Sequence, residues 1–266
     1  MAAAGGEAVM NRDTAGLVQR DLFGIAVDGL TMMQAVTRCT DAVAHRRYLS
    51  VGMVNAAKVV AMRRNERLRQ AVGGCGMVLA DGQSVVWASR LLGSPLPERV
   101  AGIDLFLELL AEAARHAYRV YFLGARPDVL RRMLAEVRRR YPGLVVAGAR
   151  DGYFRPEDEH DVAAEIRRSA PDLLFVGLSS PKKELFLSHW GESTRACVVH
   201  GVGGSFDVLA GLTRRAPAWY QDHGLEWLYR AWQEPVRLGR RYLTTNVSFM
   251  ALVARELIRH SRGEHS

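Results

Sequence analysis

Ala196-Cys197-Val198-Val199-His200-Gly201-Val202-Gly203-Gly204-Ser205-Phe206-Asp207 settles the architecture. A short apolar run, Ala196 to Val199, opens into a glycine-rich bend, and an aromatic ring and a carboxylate follow. Glycines directly after a buried strand let the backbone come close to a ligand, because no Cβ intervenes. Arg214-Arg215-Ala216-Pro217 and Glu226-Trp227-Leu228 come next. Backbone N–H groups and arginines together suit a diphosphate, so a sugar nucleotide or another phosphorylated substrate is the first chemistry to consider. Taken alone, the glycine run reads equally well as a simple turn. It departs from G-x-G-x-x-G, and no acidic strand end follows about 20 residues on, which argues against a dinucleotide fold.

Working outward, short apolar runs alternate with amphipathic stretches. Leu22 to Ala26, Tyr48 to Val54, Val78 to Ala80, Val120 to Leu123, Leu144 to Ala147, Leu173 to Gly177 and Ala196 to Val199 read as strands. Thr31 to Arg46, Ala56 to Ala71, Ile103 to His116, Asp128 to Arg140, Glu157 to Ser169 and Lys182 to His189 read as helices. This alternation predicts an α/β fold: a Rossmann-like, mostly parallel sheet with helices on both faces. In such sheets ligands lie beyond the carboxyl ends of the strands. Asn55, Asp81-Gly82, Gly124, Gly148 to Gly152, Gly177 to Pro181 and Gly201 to Gly204 punctuate those ends and would line one rim. Residues 1–18 are Ala/Gly-rich and aperiodic, and read as a loose tail. Residues 19–212 form the expected α/β core. Residues 213–266, rich in Arg, Trp and Tyr, form a helical appendage in which Val247 to Ile258 is amphipathic. That appendage reads either as packing against the sheet or as an aromatic and basic face for a bilayer surface.

Bulk properties narrow the partners. The 266 residues can bury one large core, and 48% hydrophobic with 24% charged residues is ordinary for a soluble globular protein. Lys and Arg exceed Asp and Glu by 36 to 28, a net charge of +8, so anionic partners are favoured. Cys39, Cys75 and Cys197 lie far apart with no C-x-x-C pair, and read as buried thiols of a reducing cytoplasm. No secretory h-region is evident, and no apolar run approaches the roughly 20 residues of a spanning helix. A role at a membrane is therefore expected to be peripheral. No D-x-D, H-x3-H, C-x-x-C or P-loop pattern is present, so no metal site or cofactor is expected.

Four constellations carry candidate chemistry. Asp81, at a strand end beside Gly82, is placed as a general base or as an ordinary Asp-Gly turn. Asn55 caps the following helix, and its amide is equally suited to hold a sugar hydroxyl or orient Asp81. Ser179-Ser180-Pro181-Lys182-Lys183-Glu184 starts a helix where N–H groups and two lysines suit a phosphate. Arg99-Val100-Ala101-Gly102-Ile103-Asp104 leads into another helix, with Arg99 able to reach a diphosphate and Asp104 placed to cap.

The ordered set resembles the WecG/TagA/CpsF family of bacterial glycosyltransferases. The matching pieces are Val54-Asn55-Ala56, Ala80-Asp81-Gly82, Arg99 to Asp104, Phe122-Leu123-Gly124, Gly152-Tyr153-Phe154 and Val176 to Glu184. Gly201 to Asp207, Arg215-Ala216-Pro217, Leu225 to Arg230 and Glu234 to Tyr242 complete it, so the resemblance spans about residues 22 to 245. It implies an inverting transfer of a sugar from a UDP-sugar to a polyprenyl-diphosphate-linked sugar in bacterial polysaccharide synthesis. The resemblance makes Asp81 the catalytic base, with Asn55 beside it and Arg99 in the pocket. It assigns donor binding to Gly124, Pro181, Lys183, Glu184, Gly201, Gly203, Phe206 and Asp207. Arg230, Arg237 and Arg240 fall on appendage arginines that would fold over the site at the inner face of the cell membrane and stabilise the departing UDP or the lipid diphosphate without a metal. It is also compatible with a homo-oligomer.

Two positions depart from the family pattern: Met53 stands where Thr is usual, and Lys183 where Gln is usual. Both leave the donor sugar open among N-acetylmannosamine, glucose, glucuronate and other hexoses. They are also the support for an alternative, a non-catalytic sugar-nucleotide or lipid-phosphate binding scaffold, which the retained Asp81 opposes. A nucleic-acid binder would carry a continuous basic stripe; here the arginines cluster near the C-terminus with Trp and Tyr, so no nucleic acid is expected.

Overall fold

A computed structural model describes residues 18–217, 219–220, 228–229 and 240–261. The chain opens with β1 (Gln19–Asp21) and β2 (Ala26–Asp28), then α1 (Met32–Ala44), β3 (Leu49–Val54), α2 (Ala56–Met62) and α3 (Glu66–Gly73). It continues with β4 (Met77–Ala80), α4 (Gln83–Leu91), α5 (Gly102–His116), β5 (Arg119–Gly124), α6 (Pro127–Arg140) and β6 (Val145–Arg150). Then follow α7 (Glu159–Arg168), β7 (Leu173–Gly177), α8 (Lys182–Trp190), β8 (Val198–Gly201), α9 (Ser205–Leu209) and α10 (Arg240–Ser261).

Six strands form one parallel sheet in the order β4-β3-β8-β7-β5-β6. The α/β expectation holds, and helices cover both faces. On one face α1, α5, α6 and α9 pack over Leu49, Val51, Met53, Phe122 and Phe175 in a continuous core. The other face is divided. One cluster gathers α2, α3, α4, β1–β2 and α10 around Val54, Val78 and Ala80; a second gathers α7 and α8 around Tyr121, Leu174 and Val199. Burial on both faces explains why β7, and β4 although it lies at the sheet's edge, read as unbroken apolar runs.

Two expectations are corrected, and one helix is added. Leu22 to Ala26 is not one strand. β1 and β2 pair antiparallel, and Leu22 to Ile25 is the turn between them, closed by reciprocal Leu22–Ile25 backbone hydrogen bonds of 2.9 and 3.2 Å. The run is apolar because the turn itself is buried, with Phe23 tilted against Phe249 of α10 at 5.3 Å. The helix expected over Ala56 to Ala71 is two helices. Asn65 interrupts it by leaving helical geometry and capping α3 through Leu68 N–H, 3.0 Å away. Gln83–Leu91, unassigned from sequence, is helical, and its buried Val85, Val86 and Ala88 supply the stripe that holds it.

The expected helical character near the C-terminus is present in α10, which lies along α2 with Phe249 and Val253 buried and Arg63 paired to Glu256 at 3.1 Å. Burying each such side chain contributes about 2 kcal/mol. No described helix is long and apolar enough to cross a membrane.

Candidate active site

Strand register brings the carboxyl ends of β3, β4, β7 and β8 to one rim, because Val54 pairs with Ala80 and Val176 with Gly201. The residues that follow these strands form the site. Asp81 leaves β4 with its N–H bonded to Val54 O at 2.9 Å. Its Oδ2 accepts from Asn55 Nδ2 at 3.2 Å and its Oδ1 from Gly102 N–H at 2.8 Å. Both carboxylate oxygens are thus oriented by donors on two different segments. The two readings of Asn55 coexist: its Oδ1 accepts Lys58 N–H and caps α2, while its amide holds Asp81.

Val100 N–H bonds Ala80 O at 2.9 Å, so the Arg99–Asp104 segment is tied to the strand end immediately before Asp81. That bond brings the half-buried Arg99 to the same rim. Asp104 pairs with Arg215 at 2.6 Å, which fixes the Arg214–Pro217 segment on the start of α5.

Below the rim lies a buried charge cluster. Glu184 Oε1 accepts from Lys58 Nζ at 2.7 Å and from Lys183 Nζ at 3.3 Å. Burial pushes Glu184 upward, but the two ammonium groups outweigh it and hold its carboxyl below the usual range. Burial and the neighbouring Lys58 lower Lys183, and Glu184 opposes them. The three groups together carry one net positive charge, so an anion is welcome beside them. The Lys183 stem runs over Gly201: a Cβ there would meet Cδ at 3.1 Å, and one at Gly203 (φ +54°) would lie 3.4 Å from Nζ. The glycine bend therefore makes room for this lysine. Lys182 diverges, with Nζ 3.1 Å from Phe154 O and 3.9 Å from that ring's centroid.

Other expected residues follow neighbouring strand ends. Phe206 is fully buried and packs edge-on against Phe122 at 6.0 Å and tilted against Phe106 at 5.9 Å. It also sits under Gly177, where a Cβ would meet its ring at 2.5 Å. Its ring lies in the core, directly beneath the strand ends. Gly124 (φ +133°) permits a backbone approach, since a Cβ would lie 2.5 Å from Gly177 C. Asp207 accepts Leu212 and Thr213 N–H groups through its carbonyl at the end of α9. Pro181 is exposed at the start of α8. Arg240 opens α10, and Arg230 and Arg237 lie outside the described residues.

Two contributors escaped sequence reasoning. Lys58 sits in Ala56-Ala57-Lys58-Val59-Val60, and a lone charge in an apolar helix was the available signal. His200 is fully buried, with Nε2 3.1 Å from Gly102 O. A carbonyl only accepts, so Nε2 carries the proton, and Nδ1 is buried with no partner among the described residues. Burial pushes its pKa down to about 4, so the ring is neutral. Among the described residues no three His, Cys, Asp or Glu side chains are grouped to hold a metal ion.

A carboxylate is thus held at the rim of a parallel α/β sheet, beside buried cations. Residues 20–263 match the glycosyl transferase WecG/TagA/CpsF family, and the chain belongs to it. It is similar to an N-acetylglucosaminyldiphosphoundecaprenol N-acetyl-beta-D-mannosaminyltransferase of Bacillus spizizenii W23, 39% identical over 66% of this chain and 68% of the relative. The Bacillus subtilis 168 protein of the same name is 35% identical over 71% of this chain and 73% of the relative.

Proposed function

We propose that the protein transfers an N-acetylhexosamine from a UDP-sugar to a polyprenyl-diphosphate-linked N-acetylglucosamine, with inversion at the anomeric carbon. The observation that carries this reading is Asp81, held by Asn55 and Gly102 above the Lys58–Glu184–Lys183 cluster. The acceptor hydroxyl oxygen forms a bond to the anomeric carbon as the bond from that carbon to the β-phosphate oxygen breaks. The hydroxyl proton passes to Asp81, and UDP departs with the bonding pair. Lys183 and Arg99 supply positive charge for the leaving diphosphate, joined by Arg230, Arg237 and Arg240 when the appendage covers the site. On this reading no metal is needed, and the enzyme works peripherally at the inner face of the cell membrane, where its lipid-linked acceptor resides.

The names of the relatives support N-acetylmannosamine as donor sugar and N-acetylglucosaminyl-diphosphoundecaprenol as acceptor. The test is UDP release from a panel of UDP-sugars with that acceptor, in the presence of EDTA. Acceptor-dependent release with one donor is the expected result. Binding of UDP without release from any donor would overturn the catalytic assignment.

A further inference from the structure

His200 is a buried titratable group that the proposed reaction leaves unused. It stands on β8 between Val51 of β3 and Phe175 of β7, and by strand alternation it shares the face of Val198, which lies in the continuous core. Its ring meets the Phe175 ring edge-on at 6.3 Å and is fully shielded from solvent. A methionine would fill such a place without burying a hydrogen-bonding nitrogen. The imidazole instead buries Nδ1 with no hydrogen-bond partner among the described residues, an unfavourable arrangement. What the ring gains is one bond, from Nε2 to Gly102 O at 3.1 Å.

Gly102 opens α5, and the start of that helix has little support of its own. Its N-cap, Ala101, has no side chain that accepts from the first N–H groups, and an uncapped first turn frays. Asp81 supplies the missing acceptor from another segment, its Oδ1 taking the Gly102 N–H at 2.8 Å. Gly102 Cα also lies close to the end of β3: a Cβ there would meet Met53 Cε at 3.1 Å and Asp81 Oδ1 at 3.8 Å. The shorter of the two bonds to the carboxylate thus comes from a residue that is itself pinned through its carbonyl. Asn55, at 3.2 Å, holds only the other oxygen. Rotation about the terminal bond of an aspartate is soft, so one donor leaves the plane of the carboxylate free and two fix it.

We propose that His200 is a positioning residue for the proton acceptor: by holding the Gly102 carbonyl it fixes the Gly102 N–H, and with it the plane and direction of the Asp81 carboxylate. The assignment rests on the reading of Asp81 as the base. The ring does not pass a proton to Asp81, because the N–H and the carbonyl of Gly102 belong to different peptide units, separated by the Cα. Nor does it touch substrate, since it is completely buried. Packing alone does not call for Nε2, because Phe175 and Val198 ask only for an apolar surface.

The experiment compares three variants that differ in reach. His200→Gln places an amide N–H where Nε2 stands. His200→Asn places it where Nδ1 stands, short of Gly102 O, and His200→Met fills the space with no donor. Steady-state kinetics on the UDP-sugar and the lipid-linked acceptor are measured for the full chain, for each variant, and for His200→Met combined with Asp81→Asn. His200→Asn and His200→Met should lower kcat about ten- to hundredfold, the scale of a small misplacement of a reacting group, with the donor KM within about twofold. His200→Gln should stay within about threefold of wild type, and His200→Met added to Asp81→Asn should cost less than about twofold more, because it acts through the carboxylate. Equal losses in His200→Gln and His200→Asn, or full multiplication of the Asp81→Asn and His200→Met losses, would overturn the proposal. If His200→Met does not fold, the contrast between Gln and Asn still decides. Wild-type kcat in His200→Asn would refute the positioning role and leave Asp81 as the base, whereas near-native turnover in Asp81→Asn alone would remove the reading beneath it.

Discussion

Asp81 and His200 are joined through a single residue: Gly102 gives its N–H to Asp81 Oδ1 at 2.8 Å, and its carbonyl accepts from His200 Nε2 at 3.1 Å. The candidate base is thereby anchored to a histidine buried at the end of another strand, β8. A neutral ring suits this place, because a protonated one would put a second buried donor beside Lys58 and Lys183 with nothing to accept from it.

Replacing Asp81 by Asn keeps the size of the side chain and removes the proton acceptor. The turnover rate should fall by roughly 10²–10⁴-fold, the usual worth of a general base. UDP affinity, measured by calorimetry, should change by less than about threefold. A variant retaining near-native turnover would show that another group takes the proton.

Stability should depend on His200 in acid. An unfolded histidine binds its proton near 6.5, the folded one only near 4. Between these values the unfolded chain takes up more protons, so stability present above pH 6.5 is lost as the pH falls toward 4. The loss amounts to up to ~3 kcal/mol. His200→Gln can still donate to Gly102 O but does not titrate. Urea unfolding across pH 7.5 to 4.5 should therefore give a flatter profile for this variant, and parallel profiles would refute the assignment.

The buried Lys58–Glu184–Lys183 cluster makes a thermodynamic prediction. Glu184→Gln leaves two neighbouring ammonium groups without their shared anion, and should cost about 3 kcal/mol in urea unfolding. Adding Lys58→Met removes one of the two cations and should recover at least half of that loss. If Glu184→Gln unfolds like wild type, the cluster does not hold the fold at this point.

Phe206 separates packing from binding. Its ring touches Phe106, Phe122 and Gly177 inside the core. Phe206→Ala should lower stability by about 3–5 kcal/mol, and Phe206→Leu by less. Phe206→Leu should keep the KM for the donor within about twofold. A large rise in KM without loss of stability would restore a direct contact with the donor.

Much of the architecture was legible along the chain. Val78 to Ala80 and Leu173 to Gly177 are apolar at every position because parallel strands are covered on both faces. Local chemistry was equally readable: Asn55 before a helix, Asp81 after a strand, and glycines at 201 and 203 where a chain must bend close to something. Leu22 to Ile25 misled because a buried turn is as apolar as a strand. Ala56 to Ala71 misled because its helical pattern continues across the Asn65 cap.

The sequence by itself determined the alternation of strands and helices through the core, though not the β1–β2 turn, the break between α2 and α3 or the helix α4, and it placed a carboxylate and glycines at the strand ends. These follow from periodicity, capping and glycine placement, which act over a few neighbouring residues. Only the tertiary structure decided that Lys58 and Lys183, 125 positions apart, share Glu184. It alone showed that His200 bonds the segment holding Asp81 and that Phe206 is core. Such pairings depend on which strands become neighbours, and parallel register brings together residues that are remote along the chain.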